Sequence, residues 1–410
     1  MSADVLLHAL GLRGFQLIET IENERQGSLE LHVARKETGK FPCPLCGARR
    51  TVKRGRVIRR IRTVPLGLYH TVFLVFHLHR LHCYQCGRTG TQKVPVAHGK
   101  NRWSWQLAQA VLELVDKMNL KAIATHLHIS WDTVRRIHRQ WLLRRAQERW
   151  KQLRSVRYLA IDEISVRRRH RYFTIVVDLD SRKPLWVGDG RGREALEPFF
   201  QWLLHRGIRP VAIAMDMWHV YTDLVMEYFP DTAIVYDRFH VVSNANRAVD
   251  ETRRQLVREL AAREARAIKG CRWVLLQAPE RLAKNPKAKK KLEIVAEFNK
   301  PLYWAYLLKE QLRTMWDVCR DYVEAVSYLH NWLEEALRCG VRPMVELAAQ
   351  VGAHRSGILN YFLHPITTGP LEGINNKIKV LKRNAYGYRD MTYFKLRILF
   401  INEAKHVFCG

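Results

Sequence analysis

The chain has 410 residues, 47% of them hydrophobic, which is enough for two or three domains with a sizeable core. Its 69 Lys and Arg against 39 Asp and Glu leave a formal charge of +30, a surplus that draws phosphate backbones through counterion release and says nothing about fold. There is no uncharged apolar run of about 18 residues and no charged-then-apolar leader, which argues against a membrane or secreted protein and for a soluble one of the cytosol or nucleoid.

In chain order, 15–21 and 28–34 read as strands around a turn-prone 23–27. Of eight cysteines, four form the CxxC pairs Cys43/Cys46 and Cys83/Cys86. Without a leader, metal ligation is favoured over disulfides. The pairs flank a β-rich stretch at 69–81, and two such knuckles separated by a hairpin suit one tetrahedral Zn²⁺ held by four thiolates. Redox-active or idle cysteines are the alternative. Gly47 and Gly87 let each knuckle turn its N–H groups toward sulfur. The eight Arg and Lys from Arg49 to Arg62 suggest that this module also touches phosphates. His77, His79 and His82 are read as packing or surface residues, because four thiols already complete a shell.

Residues 117–141 predict two helices. Leu120, Ile123, Ala124 and Leu127 form one apolar face. Ser130 caps a second helix that buries Val134, Ile137 and Trp141. Small Ala124 and turn residue Ile129 fit a helix-turn-helix, whose second helix offers Trp131, Asp132, Thr133, Arg135 and Arg136 to a DNA major groove. Two core helices of any α domain would look similar; the basic module upstream favours DNA. Residues 144–157 read as a basic helical connector.

A short strand at 158–161 closes on Asp162 and Glu163, and a second at 172–177 closes on Asp178 and Asp180. A turn at 188–192, a helix at 195–205 and a strand at 211–214 running into Asp216 come next. A helix at 222–228 and a strand at 233–236, ended by Asp237-Arg238-Phe239-His240, follow. One acidic strand end is ordinarily just solvent-facing; two of the same design in a basic chain suggest a metal-held acid site for a polyanion. Three antiparallel-type strands within 158–187, a helix, then strand–helix–strand is the order of a ribonuclease H-like fold; a chain of that fold has its first and fourth strands side by side, which would bring Asp162 and Asp216 to one cation.

From 241 to about 363 the pattern is helical. One helix carries Val249, Leu256 and Leu260 as far as Gly270, 284–293 is lysine-dense, and long helices cover 307–329 and 332–351 with a break at Gly340 and Pro343. Gly369-Pro370 then starts a helix with Glu372 in its first turn. Ile374, Ile378 and Leu381 share its apolar face, and Asn375, Asn376, Lys377, Lys379, Lys382 and Arg383 its polar one. Glu372 is either a dipole-friendly first-turn acid or a third metal ligand. Tyr386, Tyr388 and Tyr393 either stack bases or pack.

The CPLCG and CYQCGR knuckles, the helix-turn-helix, YLAIDE, RYFTIVVDLD, VAIAMDMW, AIVYDRFHVV and LEGINNKIKVLKRNAYGYRD together resemble insertion-sequence transposases of the ISL-three type, in order and over nearly the whole chain. The resemblance implies a multidomain α+β protein. A β-rich zinc module would span 1–99 and a helix-turn-helix domain 100–150. A ribonuclease H-like catalytic domain would occupy 151–240 and 366–410, interrupted by an all-helical insertion at 241–365. It implies a DDE triad of Asp162, Asp216 and Glu372 holding two Mg²⁺ or Mn²⁺, with Asp162 bridging. Asp237 and His240 match a DxxH element beside that site, with His240 and Arg238 facing the scissile or flanking phosphate. Lys377, Lys379, Lys382 and Arg383 would follow the DNA backbone. Thr368 stands where members commonly carry Asn. The implied partners are double-stranded terminal inverted repeats and target DNA, engaged by a homodimer or larger assembly in a prokaryotic, nucleoid-associated cytoplasmic setting. The rival readings are a DNA-binding regulator with a vestigial nuclease domain and a ribonuclease H-like nuclease or resolvase.

Overall fold

The computed structural model describes residues 3–36, 41–167, 171–260 and 262–403. The chain forms two compact units, one of Met1–Glu148 with Asn384–Tyr386, the other of Arg149–Arg383 with Gly387–Glu403.

The first unit opens with a helix that the sequence reading missed, α1 (Ala3–Ala9), followed by β1 (Phe15–Asn23), β2 (Ser28–Arg35), β3 (Thr51–Thr63), β4 (Thr71–Cys83) and β5 (Thr89–Thr91). The sheet order is β1-β2-β4-β3, with β5 on β4; β2 and β4 run parallel and the other pairs antiparallel. Alternation along β4 buries Val72, Leu74, Phe76 and Leu78 on one face, against Leu31 and Val33 of β2. The β3–β4 register sets Thr51 opposite Cys83, so the hairpin brings the two CxxC segments to the same end.

Three helices complete this unit: α2 (Trp105–Val115), α3 (Leu120–His126) and α4 (Trp131–Gln152). Their starts are capped by Ser104, Asn119 and Ser130, each side chain accepting a backbone N–H three residues on. Leu107, Val111, Ile123, Val134 and Ile137 form their common core. The sequence reading had no α2. The basic helical connector expected at 144–157 is helical as far as Gln152, as the continuation of α4, because nothing in 142–152 interrupts helical bonding. Arg62, counted in the basic run, is withdrawn from solvent. Its guanidinium donates to the carbonyls of Thr63, His70 and Val72 on the sheet side, and of Leu127 and His128 in the helix-turn-helix.

The second unit contains β6 (Tyr158–Arg167), β7 (Arg171–Asp178), β8 (Lys183–Asp189), α5 (Arg193–His205), β9 (Ala212–Met215), α6 (His219–Tyr228) and β10 (Ala233–Tyr236). The sheet order is β10-β9-β6-β7-β8, with β9 and β10 parallel to β6, and β7 and β8 continuing antiparallel. Leu159, Ala160 and Ile161 in β6 and all of β9 are buried, as a central strand covered on both faces requires. Gly188 is obligatory for another reason: a Cβ there would lie 2.0 Å from the Ala195 carbonyl, so β8 meets α5 only without a side chain. Asp178 accepts the Asp180 and Ser181 N–H groups in the β7–β8 turn, so it closes its strand as a turn residue.

Helices follow: α7 (Arg238–Glu259), α8 (Ala262–Lys269), α9 (Arg272–Leu275), α10 (Pro279–Leu282), α11 (Pro286–Phe298), α12 (Lys300–Val318), α13 (Tyr322–Arg338), α14 (Arg342–Ala353), α15 (Arg355–Leu359), α16 (Gly369–Asn384) and α17 (Met391–Leu399). Two boundaries differ from expectation. The helix through Val249 stops at Glu259 rather than running to Gly270. The gap expected between 329 and 332 falls instead at 319–321, where Asp321 caps α13 through the Glu324 N–H, whereas the break at Gly340 and Pro343 is found between α13 and α14. The lysine-dense stretch is the first half of α11. Among the described residues no helix is long and apolar enough to cross a membrane.

Candidate functional site

The site is assembled by strand register. Ala160 of β6 pairs with Ala214 of β9, so two residues further on Asp162 lies alongside Asp216. Asp162 is not at a strand end as expected, since β6 continues to Arg167. One of its oxygens, Oδ1, accepts the Glu163 N–H at 2.7 Å and the other, Oδ2, accepts the Asn375 side-chain amide at 2.8 Å. Asp216 follows the last residue of β9. Its Oδ1 accepts the Met217 N–H at 2.6 Å, and its Oδ2 lies 3.4 Å from His240 Nδ1 in the first turn of α7. Burial pushes the Asp162 carboxyl above the usual range, opposed by the Glu163 N–H, His240 and Asn375, and reinforced by the charge of Asp216.

Glu163 points to the other side of the strand, as period two requires. Burial raises its pKa too, while a hydrogen bond from Tyr221 and the charge of Arg191 act against this. The Tyr221 hydroxyl also lies 2.9 Å from that of Thr174.

Asp237, a competitor for Asp216 by sequence alone, is buried and fully engaged. Its Oδ1 caps α7 by accepting the Phe239 N–H at 2.6 Å, and its Oδ2 accepts both the N–H and the hydroxyl of Thr368. These bonds tie the end of β10 to the start of α16. Glu372 lies in the first turn of α16, exposed to solvent, one helical turn before Asn375. No three of Asp162, Asp216, His240 and Glu372 have ligand atoms within 4.8 Å of one another.

Of the cations expected on DNA, Lys377 reaches Asn402, Lys379 reaches Asn376, and both are exposed on α16 with Arg383. Arg238 is turned toward Asp317 of α12, 3.4 Å away. In the helix-turn-helix, Trp131 is exposed, the Thr133 hydroxyl bonds Ser130, and Asp132 pairs with Arg135 at 2.8 Å and Arg136 at 4.0 Å. Tyr388 stacks on Phe394 and Tyr393 is buried, so both pack; Tyr386 is fully exposed.

Among the described residues, Cys43, Cys46, Cys83 and Cys86 are the one group whose ligand atoms all lie within 4.8 Å, as a metal site needs. Sulfur–sulfur distances are 3.9 Å for Cys43–Cys86 and 3.6 Å for Cys46–Cys83. Gly47 and Gly87 have φ of +80° and +66°, which lets each loop fold back so that Cys43 N–H meets Ala48 O and Cys83 N–H meets Arg88 O. Backbone N–H groups pull the Cys43 thiol down to about 6 and lower Cys83 as well.

Asn375 carries no role of its own in the sequence pattern, and neither Tyr221 nor α2 is marked there. The three-residue spacing from Glu372 to Asn375 was the available signal for the first. For α2 it was Ser104 ahead of Leu107, Val111 and Val115.

Acids on the central strands of a mixed sheet, in a chain that also carries a helix-turn-helix, mark a DNA-processing enzyme. Residues 159–398 match a family model described as Transposase, the DDE type of ISL3, and residues 92–142 match the helix-turn-helix domain of transposase family ISL3. The chain is 34% identical over 388 residues to the transposase for insertion sequence element IS1001 of Bordetella parapertussis, covering 93% of this chain and 94% of that one. It is 32% identical over 373 residues to the transposase for IS1557 of Mycobacterium tuberculosis, covering 85% and 82%. A solved structure, the Drosophila P element transposase strand transfer complex, aligns with 73% of this chain and 92% of its own at 10% identity and a TM-score of 0.38. The chain belongs to the ISL3 family of DDE transposases, DNA-binding enzymes.

Proposed function

We propose that this transposase binds the terminal inverted repeats of an insertion sequence and carries out divalent-metal-dependent strand cleavage and strand transfer, with Asp162, Asp216 and Glu372 as its acidic triad. The observation that carries this reading is the β6–β9 register, which sets Asp162 beside Asp216. The bond from Asn375 to Asp162, one turn from Glu372, adds to it.

The donor set fits two Mg²⁺ or Mn²⁺: the acids offer hard oxygens, and each Asp162 oxygen has one protein donor and a lone pair to spare. When bound, such ions supply a nucleophilic water or 3′-hydroxyl at neutral pH and stabilise the leaving oxygen. Asp162 and Asp216 hold their places through backbone N–H groups, and Glu372 completes the set from a solvent-exposed side chain. His240 stands against Asp216 with its imidazole ready to donate to a phosphate oxygen. Lys377, Lys379, Lys382 and Arg383 line α16 for the DNA backbone, and Arg238 joins them by exchanging Asp317 for phosphate.

The order β10-β9-β6-β7-β8, with three antiparallel strands and then two parallel ones, supports a ribonuclease H-like domain over 151–240 and 366–410, with the helices of 241–365 as an insertion. In the first unit, Trp131, Thr133, Arg135 and Arg136 read the repeat. The four thiolates hold one structural Zn²⁺: a tetrahedral shell with Zn–S near 2.3 Å has sulfurs about 3.8 Å apart, and the pairs here are at 3.6 and 3.9 Å. Two ends must be held together for transfer, so the assembly on DNA is a homodimer or larger, in the prokaryotic cytoplasm beside the nucleoid.

The test is cleavage and joining of labelled inverted-repeat DNA with Mg²⁺ by Asp162→Asn, Asp216→Asn, Glu372→Gln and the parent. All three variants lose cleavage and still shift the DNA on a gel. A variant that cuts like the parent removes its residue from the triad.

A further inference from the structure

Asn375 sits on the buried face of α16, 9% exposed, and its amide is aimed at Asp162. The orientation of that amide follows from chemistry. An ionised carboxylate only accepts, so the side chain must present its NH₂ group to Asp162 Oδ2. The amide oxygen is then left in the interior, and it has no hydrogen-bond partner in the protein. Buried polar atoms are nearly always satisfied, and an exception calls for a missing partner.

The residue type matters as much as the contact. Lys or Arg at this position would also orient Asp162, but would neutralise it and repel a divalent cation. A carboxylate would repel Asp162 and raise its pKa further. An amide donates one strong hydrogen bond and carries no net charge. Together with the Glu163 N–H on Oδ1, it immobilises both oxygens of Asp162 while leaving a lone pair on each. Its own orphaned Oδ1 is a hard acceptor, of the kind that divalent cations and their waters take.

The geometry points to Asn375 as a positioning residue of the acidic site, a neutral clamp that fixes the Asp162 carboxylate for a divalent cation without drawing on its charge. This rests on the reading of Asp162 as a metal ligand. Asn375 also joins α16 to β6 across 213 positions of sequence, so the strand acid and the helix bearing Glu372 are registered to each other through this bond.

The experiment is Mn²⁺ titration of the full-length, zinc-loaded protein by electron paramagnetic resonance, with cleavage measured against Mn²⁺ concentration. Asn375→Ala deletes the amide; Asn375→Leu keeps its branched shape, with somewhat more bulk, and removes its polarity. Both are expected to weaken Mn²⁺ by about ten- to a hundredfold, the usual effect of losing a partner that orients a ligand. Both should move the Mn²⁺ midpoint for cleavage by the same factor, and saturating Mn²⁺ should restore the parent rate, which repair of a merely structural defect would not do. Parent-like Mn²⁺ affinity in a folded Asn375→Leu protein, or a rate that stays low at saturation, overturns the inference. Asp162→Ala run in parallel separates the two claims. If it loses Mn²⁺ while the Asn375 variants do not, only the clamp is wrong; if it keeps Mn²⁺, the acidic site itself is misassigned.

Discussion

Asp237 Oδ2 accepts two hydrogen bonds from Thr368, one from its N–H at 3.0 Å and one from its hydroxyl, across 131 positions of sequence. The pair is buried and holds the start of α16 against the end of β10, which fixes where Glu372 and Asn375 begin. Removing a hydrogen bond to a buried carboxylate typically costs about 1.5–3 kcal/mol. Thr368→Val, which keeps the shape and drops the hydroxyl, should therefore lower the urea midpoint of unfolding by that amount of stability. Thr368→Asn, with a donor of its own, should retain most of it. A Thr368→Val protein that unfolds with the parent would show that the hydroxyl bond contributes nothing.

Arg62 makes a second long-range tie, this one inside the first unit. Its one guanidinium serves carbonyls from β4 and its approach, and from the turn between α3 and α4. Burial lowers its pKa, so the charge is tolerated only because those carbonyls surround it. Arg62→Ala should cost roughly 3 kcal/mol, as loss of a buried polar network does. It should also weaken binding of repeat DNA, because the sheet module and helix-turn-helix lose their link. Arg62→Lys should not rescue either property, since an ammonium lacks the planar fork. Calorimetry and a gel shift on the three proteins check this.

The acid pair should leave a signature in metal-free protein. Asp162 has a folded-state pKa above its ordinary 3.8, mainly through burial, so the folded chain holds that proton to higher pH than the unfolded one. Stability then falls as pH rises from the ordinary carboxylate range through the raised value. Asp162→Asn removes this slope and should melt above the parent at neutral pH. Adding Mg²⁺ should raise the melting point of the parent and not of the variant. Equal melting points for the two proteins without metal, from pH 4 to pH 7, would contradict the raised carboxyl.

The four-thiol cluster predicts one zinc per chain by elemental analysis. Stripping it with a strong chelator below neutral pH, or replacing Cys83 with Ser, should abolish repeat binding and the thermal transition of the first unit. Metal binding and folding are one process in small sites of this kind. A Cys83→Ser protein with full zinc content would exclude the site.

Features with a short-range cause were legible in the amino-acid order. Two CxxC-Gly knuckles need positive φ after each pair and have it. Strand-like runs marked β1 and β2, alternating bulky residues marked β4, and Ser130 ahead of Val134 and Ile137 marked the start of α4. The order of strands and helices from Tyr158 to Tyr236 was readable for the same reason, because each element carries its own apolar period and its own terminators. The proposal of Asp162, Asp216 and Glu372 as a set also came from the chain, through motifs that keep their order over nearly its whole length.

Tertiary structure decided what depends on partners distant in sequence. β6 runs past Asp162 because β7 pairs with it as far as Arg167, an interaction that a local reading of the apolar run cannot contain. Asp216 and Asp237 look alike in the chain, each an Asp closing a short strand. They part only because Asp237 meets the donors of Thr368 while Asp216 faces His240. Asn375 is one polar residue among many on an amphipathic helix until packing of α16 turns it onto Asp162. The Asp237–Thr368 and Asn375–Asp162 bonds join groups 131 and 213 residues apart, and only the tertiary fold brings such groups to 3.0 and 2.8 Å.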